Sequence, residues 1–140
     1  KEVISIVPYF GGMSRFSPDH TQQALDLRHK WFDYCLQSMK DFTHTFFIGC
    51  CNDKDYKILQ PYRMHGNINI IKFELDRAEH LPANLAFEVQ NIIKSGNADS
   101  ISAMPYVYYT EMDQVFYAQH FDSLTDVLER KGLMYPLRGL

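Results

Sequence analysis

The chain has 140 residues, 46% hydrophobic and 22% charged, with 14 Lys and Arg against 17 Asp and Glu for a net charge of −3. These proportions belong to a folded globular domain and exclude disorder, and without a basic run nucleic acid is not an expected partner. Three cysteines, Cys35, Cys50 and Cys51, with no CxxC spacing signal neither a disulfide framework nor a zinc knuckle.

No apolar run approaches the ~20 residues of a membrane span, and no signal peptide is visible. One domain is expected over residues 1–140, within the usual size range. Because the sequence opens on Lys1 rather than methionine, it reads as a segment of a longer protein. The six histidines show no HxxxH or HExxH spacing, and taken singly each reads as a surface or boundary residue.

In chain order, the β-branched run Val3–Tyr9 predicts a buried strand, followed by a loop carrying Gly11-Gly12. Ser17 and Pro18 resemble a helix cap with proline in the first turn, and a long amphipathic helix should run to about Asp41. Its apolar positions form a stripe of Ala24, Leu27, Trp31, Tyr34 and Ser38, widened by Leu25, Phe32, Cys35, Leu36 and Met39. His44–Cys51 predicts a second strand, Asp53–Gln60 a short helix ended by Pro61, and Asn69–Leu75 a third strand. Leu81-Pro82 opens another helix, with Leu85, Ala86, Val89, Ile92 and Ile93 on one face and a stop near Gly96. Tyr106–Thr110 predicts a fourth strand. A last helix follows, capped by Asp122 or Ser123, with Gly132 past its end. Strand and helix alternate throughout, which predicts an α/β fold: a mainly parallel sheet between layers of helices.

In such sheets ligands bind beyond the carboxyl ends of the strands. Strand one ends in Pro8-Tyr9-Phe10, strand two in Cys51-Asn52-Asp53, strand three in Asp76-Arg77 and strand four in Glu111-Met112-Asp113. Acids, an amide, an arginine and aromatics therefore gather on one rim. Asn52-Asp53 is equally a good N-cap for the short helix behind it.

The segment Tyr106–Phe116 carries the sharpest signal. An apolar strand ends in two carboxylates one residue apart, and acids at the lip of an apolar strand are costly unless a cation meets them. In extended backbone, residues i and i+2 face the same side, so Glu111 and Asp113 are expected to converge on a hard divalent ion. A strand running out into a polar turn is the plainer alternative. The chain has no GxGxxG after strand one, no GxxxxGK[ST] and no GxSxG. Phosphates, if bound, must be met by a metal and by side chains.

Taken together, VISIVPYF, a long helix with Leu36-Gln37-Ser38-Met39, FFIGCCNDKD, Leu81-Pro82-Ala83-Asn84 and YVYYTEMDQVF resemble the nucleotide-binding half of GT-A glycosyltransferases. The resemblance implies a Rossmann-like αβα sandwich and transfer of a sugar from a UDP- or GDP-type nucleotide sugar to a glycan, protein or lipid acceptor. It implies Mn²⁺ or Mg²⁺ at Glu111 and Asp113, an E-x-D variant of the family's D-x-D. Pro8, Tyr9, Asn52 and Asp53 would line the nucleoside pocket, while Arg77 and Asn84 would touch the diphosphate or donor sugar. Tyr135-Pro136-Leu137-Arg138 is similar to a stretch downstream of that motif, with no role attached. For a eukaryotic source the resemblance implies the Golgi or secretory-pathway lumen. Two other readings stand beside it: a non-catalytic GT-A-like binding or assembly module, and another nucleotide-dependent α/β enzyme such as a nucleotidyltransferase.

Overall fold

The computed structural model describes residues 2–11, 21–96, 105–112 and 114. Four parallel strands form its sheet: β1 (Val3–Pro8), β2 (Thr45–Cys50), β3 (Ile68–Lys72) and β4 (Tyr106–Tyr109), in the spatial order β3-β2-β1-β4. Every residue of β1 and β2 is buried, as expected of inner strands covered on both faces. β3 and β4 lie at the two edges of the described sheet and are only partly covered. The α/β class and the parallel sheet are as the alternation predicts.

Alternate residues of each strand feed two separate cores. Val3, Val7, Phe46, Ile48, Cys50 and Ile70 pack with Phe32, Cys35, Leu36 and Met39 of α1 (Gln22–Met39) and Leu59 of α2 (Asp53–Leu59). On the other face, Ile4, Ile6 and Phe47 pack with Leu85 and Val89 of α3 (Leu81–Ser95). This is an αβα sandwich. The approach of α3 is close: a side chain on Gly49 would place its Cβ 2.9 Å from Leu85. At the centre of β1, the one polar residue, Ser5, shares a 2.6 Å hydrogen bond with Thr43, so burial leaves neither hydroxyl unmatched.

Helix boundaries follow local chemistry. Thr21 caps α1 by accepting the Ala24 N–H; the expected cap at Ser17 lies outside the described residues, as do the last helix and the Tyr135–Arg138 stretch. Gly96 ends α3 in the left-handed region at φ 68°, where a Cβ is disfavoured. Pro61 does not stop the chain from coiling: a 3-10 segment continues α2 over Gln60–Met64 with the proline at its start. One expectation is corrected. The stripe containing Leu27, Trp31 and Tyr34 is turned outward, with these side chains 45–53% exposed, and the core face of α1 is Leu25, Phe32, Cys35, Leu36 and Met39. Both stripes recur with helical spacing, and one sheet face can cover only one of them.

Candidate functional site

The chain runs from β1 through α1 to β2 on one side of β1, and later returns to place β4 on the other. The order therefore reverses between β1 and β4, the position at which open α/β sheets leave a crevice at the strand ends. All four ends share one edge, but they do not share one spot. β3 and β4 stand three strands apart, ~14 Å at the usual ~4.8 Å spacing.

At the switch point the two strand ends are tied together. The Phe10 N–H donates to Met112 Sδ at 3.2 Å, and the Cys35 thiol donates to the Glu111 carbonyl at 3.5 Å. Strand four ends at Tyr109, one residue before the expected Thr110. The chain then turns: the Gln114 N–H donates to the Glu111 carbonyl at 3.2 Å. The Gln114 side chain folds back to accept from Thr110 Oγ1 at 2.9 Å and from the Glu111 N–H at 3.3 Å. Alternation along extended backbone accordingly does not govern this segment. Glu111 sits half-buried on the rim, and Asp113 lies outside the described residues.

Pro8 is the last residue of β1, fully buried, and pairs in register with Gly49. Tyr9 follows it and is also buried, 1% exposed, its ring edge-on to Phe32 with centroids 4.8 Å apart. Asn52 caps α2. Its side chain accepts from the Asp55 N–H at 2.8 Å and donates to the Asp55 carboxylate at 3.0 Å. Asp53 points outward and pairs with Lys72 at 2.5 Å, a contact that holds its carboxyl below the usual range. Lys72 also pairs with Glu74 at 3.2 Å. The guanidinium of Arg77, largely exposed, pairs with Glu79. The Asn84 side chain donates to the His80 carbonyl at 2.7 Å in the first turn of α3, next to Leu85, which stands over Gly49.

Several residues at this edge carried no sequence signal. Asp55 is fully buried, and its field adds to burial in raising its neighbours: Cys50 is pushed up to about 12, and Cys51 and Tyr9 are raised as well. The Asn-x-x-Asp spacing of a reciprocal cap was the one hint available for it. His29, expected at a surface or boundary, stands between two phenols: Nδ1 is 3.0 Å from the Tyr9 hydroxyl and Nε2 is 3.2 Å from that of Tyr62. Tyr62 in turn donates to Asp33. Burial, together with that carboxylate, raises the Tyr62 phenol well above its ordinary value, and it stays protonated. Arg28, the preceding residue of α1, donates to the Gly11 carbonyl at 2.9 Å.

No family model matches the chain, and no curated protein matches it. Among solved structures it is similar to the crystal structure of S. aureus TarS 1-349, at a TM-score of 0.53 and 13% identity. The match covers 100% of this chain and 37% of that one, so the chain spans little more than a third of the structure it resembles. At this identity the likeness concerns the fold alone: a Rossmann-like α/β sandwich. Among the described residues no helix is long and apolar enough to cross a membrane.

Proposed function

We propose that this domain is the donor-binding part of a metal-dependent glycosyltransferase, moving a sugar from a nucleotide sugar to an acceptor hydroxyl. The observation that carries the reading is the joining of the β1 and β4 ends at the switch point, with Glu111 on the rim there. The glycosyltransferase-type fold shared with TarS supports it.

The donor chemistry suits a hard divalent ion. Glu111 offers carboxylate oxygens at the rim, and Asp113 follows two residues later. Among the described residues no group of three or more His, Cys, Asp or Glu side chains forms a cage. An ion held by one or two carboxylates draws the rest of its shell from phosphate oxygens and water. Glu111 and Asp113 would hold Mn²⁺ or Mg²⁺, and the ion would supply positive charge against the departing diphosphate. In this reading the end of β1 and the Asn52 cap border the nucleoside. Asp53 meets a ligand only by sharing or leaving Lys72. Arg77, between β3 and α3, and Asn84, in the first turn of α3, are the candidates in this reading for the diphosphate or donor sugar.

The test is thermal unfolding with UDP- and GDP-sugars, with and without Mn²⁺. Saturation at about 100 times Kd stabilises by roughly 2.7 kcal/mol. The expected result is stabilisation that needs nucleotide and metal together and is lost in Glu111→Ala and Asp113→Ala. Indifference to every nucleotide, with or without metal, would favour a non-catalytic module instead.

A further inference from the structure

The Tyr9–His29–Tyr62–Asp33 network has a direction that its partners dictate. The Asp33 carboxylate only accepts, so the single Tyr62 proton goes to it. Tyr62 must then accept from His29, which places a proton on Nε2. In neutral His29 the bare Nδ1 accepts the Tyr9 hydroxyl at 3.0 Å. Every proton in the chain of four groups is thereby assigned, and His29 is held as one tautomer.

The consequence lies at the strand end. The Cβ position of Gly11 is 2.6 Å from Tyr9 Cε1, 3.0 Å from the Tyr9 hydroxyl and 2.8 Å from Asp55 Oδ1, so the Gly11 backbone rests directly against the Tyr9 hydroxyl edge. Two consecutive residues of α1 thus grip the turn after β1 from two sides: Arg28 holds the Gly11 carbonyl, and His29 holds the Tyr9 hydroxyl.

We propose that His29 is a positioning residue that sets the Tyr9–Gly11 turn at the candidate site only while its Nδ1 is unprotonated. A second proton on the ring turns Nδ1 into a donor. The Tyr9 hydroxyl then has to accept from the ring instead and turn its own proton away, toward the corner where Gly11 and the Asp55 carboxylate sit. Among the described residues the charged and titratable groups around this contact are Asp26, Arg28 and Asp33 of α1, Asp55 of α2, and Tyr62 of the 3-10 segment. Both phenols are raised by burial and stay protonated, so neither hydroxyl gives up its proton to the ring. That this controls nucleotide binding rests on the sugar-transfer reading; the grip itself does not.

The experiment has a ligand-free arm and a nucleotide arm. Side-chain ¹H–¹⁵N spectra of the wild-type chain should show a fixed Nε2–H imidazole for His29. The Gly11 amide should shift with the His29 titration, and in His29→Asn, whose amide oxygen accepts but does not titrate, that shift should vanish. Tyr9→Phe, which keeps the ring against Phe32, should remove it too and serves if the first variant fails to fold. An averaged or Nδ1–H imidazole, or a Gly11 titration unchanged in the variants, overturns the proposal. In the nucleotide arm, affinity for UDP or GDP with Mn²⁺ should fall about two- to tenfold as pH drops through the His29 midpoint, the worth of one net hydrogen bond. The profile should be flat in His29→Asn. Parallel profiles in both proteins overturn the positioning role. If neither nucleotide binds at any pH, the sugar-transfer reading falls, and the ligand-free spectra still decide the grip.

Discussion

The Phe10 N–H donates to Met112 Sδ across 102 residues of sequence, and this contact joins the end of β1 to the turn after β4. Met112 is also 8% exposed within the α1-side core, so one side chain both fills the core and fastens the rim. Met112→Ala should destabilise the domain by about 2–5 kcal/mol, the range for truncating a buried methionine. Met112→Leu keeps the volume and gives up the sulfur acceptor, and should cost under about 1.5 kcal/mol. Urea unfolding midpoints of the two variants measure packing and acceptor separately.

Gly11 and Gly66 make a matched pair. A Cβ on Gly11 would meet Tyr9 and Asp55 at 2.6 and 2.8 Å, whereas one on Gly66 meets nothing within 4 Å. Gly11→Ala should therefore lose about 1–3 kcal/mol through overpacking. Gly66→Ala should be neutral or gain up to about 1 kcal/mol by restricting the unfolded chain. Equal effects in calorimetry would mean that Tyr9 does not occupy the place described.

Asn52 serves a helix end and a buried carboxylate at once. Asn52→Ala removes the cap and a donor to Asp55, at a combined cost of about 2–4 kcal/mol. Asn52→Asp retains a capping acceptor but sets a second carboxylate against Asp55. Its stability deficit should shrink as the pH is lowered and one of the two acids is neutralised. A deficit independent of pH would argue that Asp55 is not the group facing position 52.

Alkaline pH should weaken the fold. Cys50 is raised from 9.0 to about 12, chiefly by burial and then by Asp55, so the folded state retains a thiol proton that the unfolded chain releases. Where the native state binds more protons than the unfolded state, stability falls with rising pH. The contribution is intact below pH 9 and is lost progressively toward 12. Tyr9 and Tyr62, raised from 10.0, add to the loss above their ordinary range. Chemical denaturation from pH 8 upward tests this: Cys50→Ala should lessen the loss above pH 9, and only with Cys51→Ala added should the onset move to the tyrosine range.

What the sequence determined by itself was the series of elements and their class. Continuous apolar runs mark strands buried on both faces. Asn52, Leu81-Pro82 and Gly96 punctuate the helices, and these signals act through backbone sterics and neighbours a few residues away. The collection of polar residues at one sheet edge followed from parallel strands alone. Tertiary structure decided which ends meet: β1 beside β4, with β3 at the far edge. It also chose between two equally periodic stripes on α1, leaving Trp31 outside and Phe32 inside, and bent the chain after Tyr109 where continued extension was expected. His29 and Asp55 gained their positions in the same way. A histidine between two phenols and a carboxylate against a glycine are contacts between distant segments, settled by the fit of side chains that no local pattern encodes.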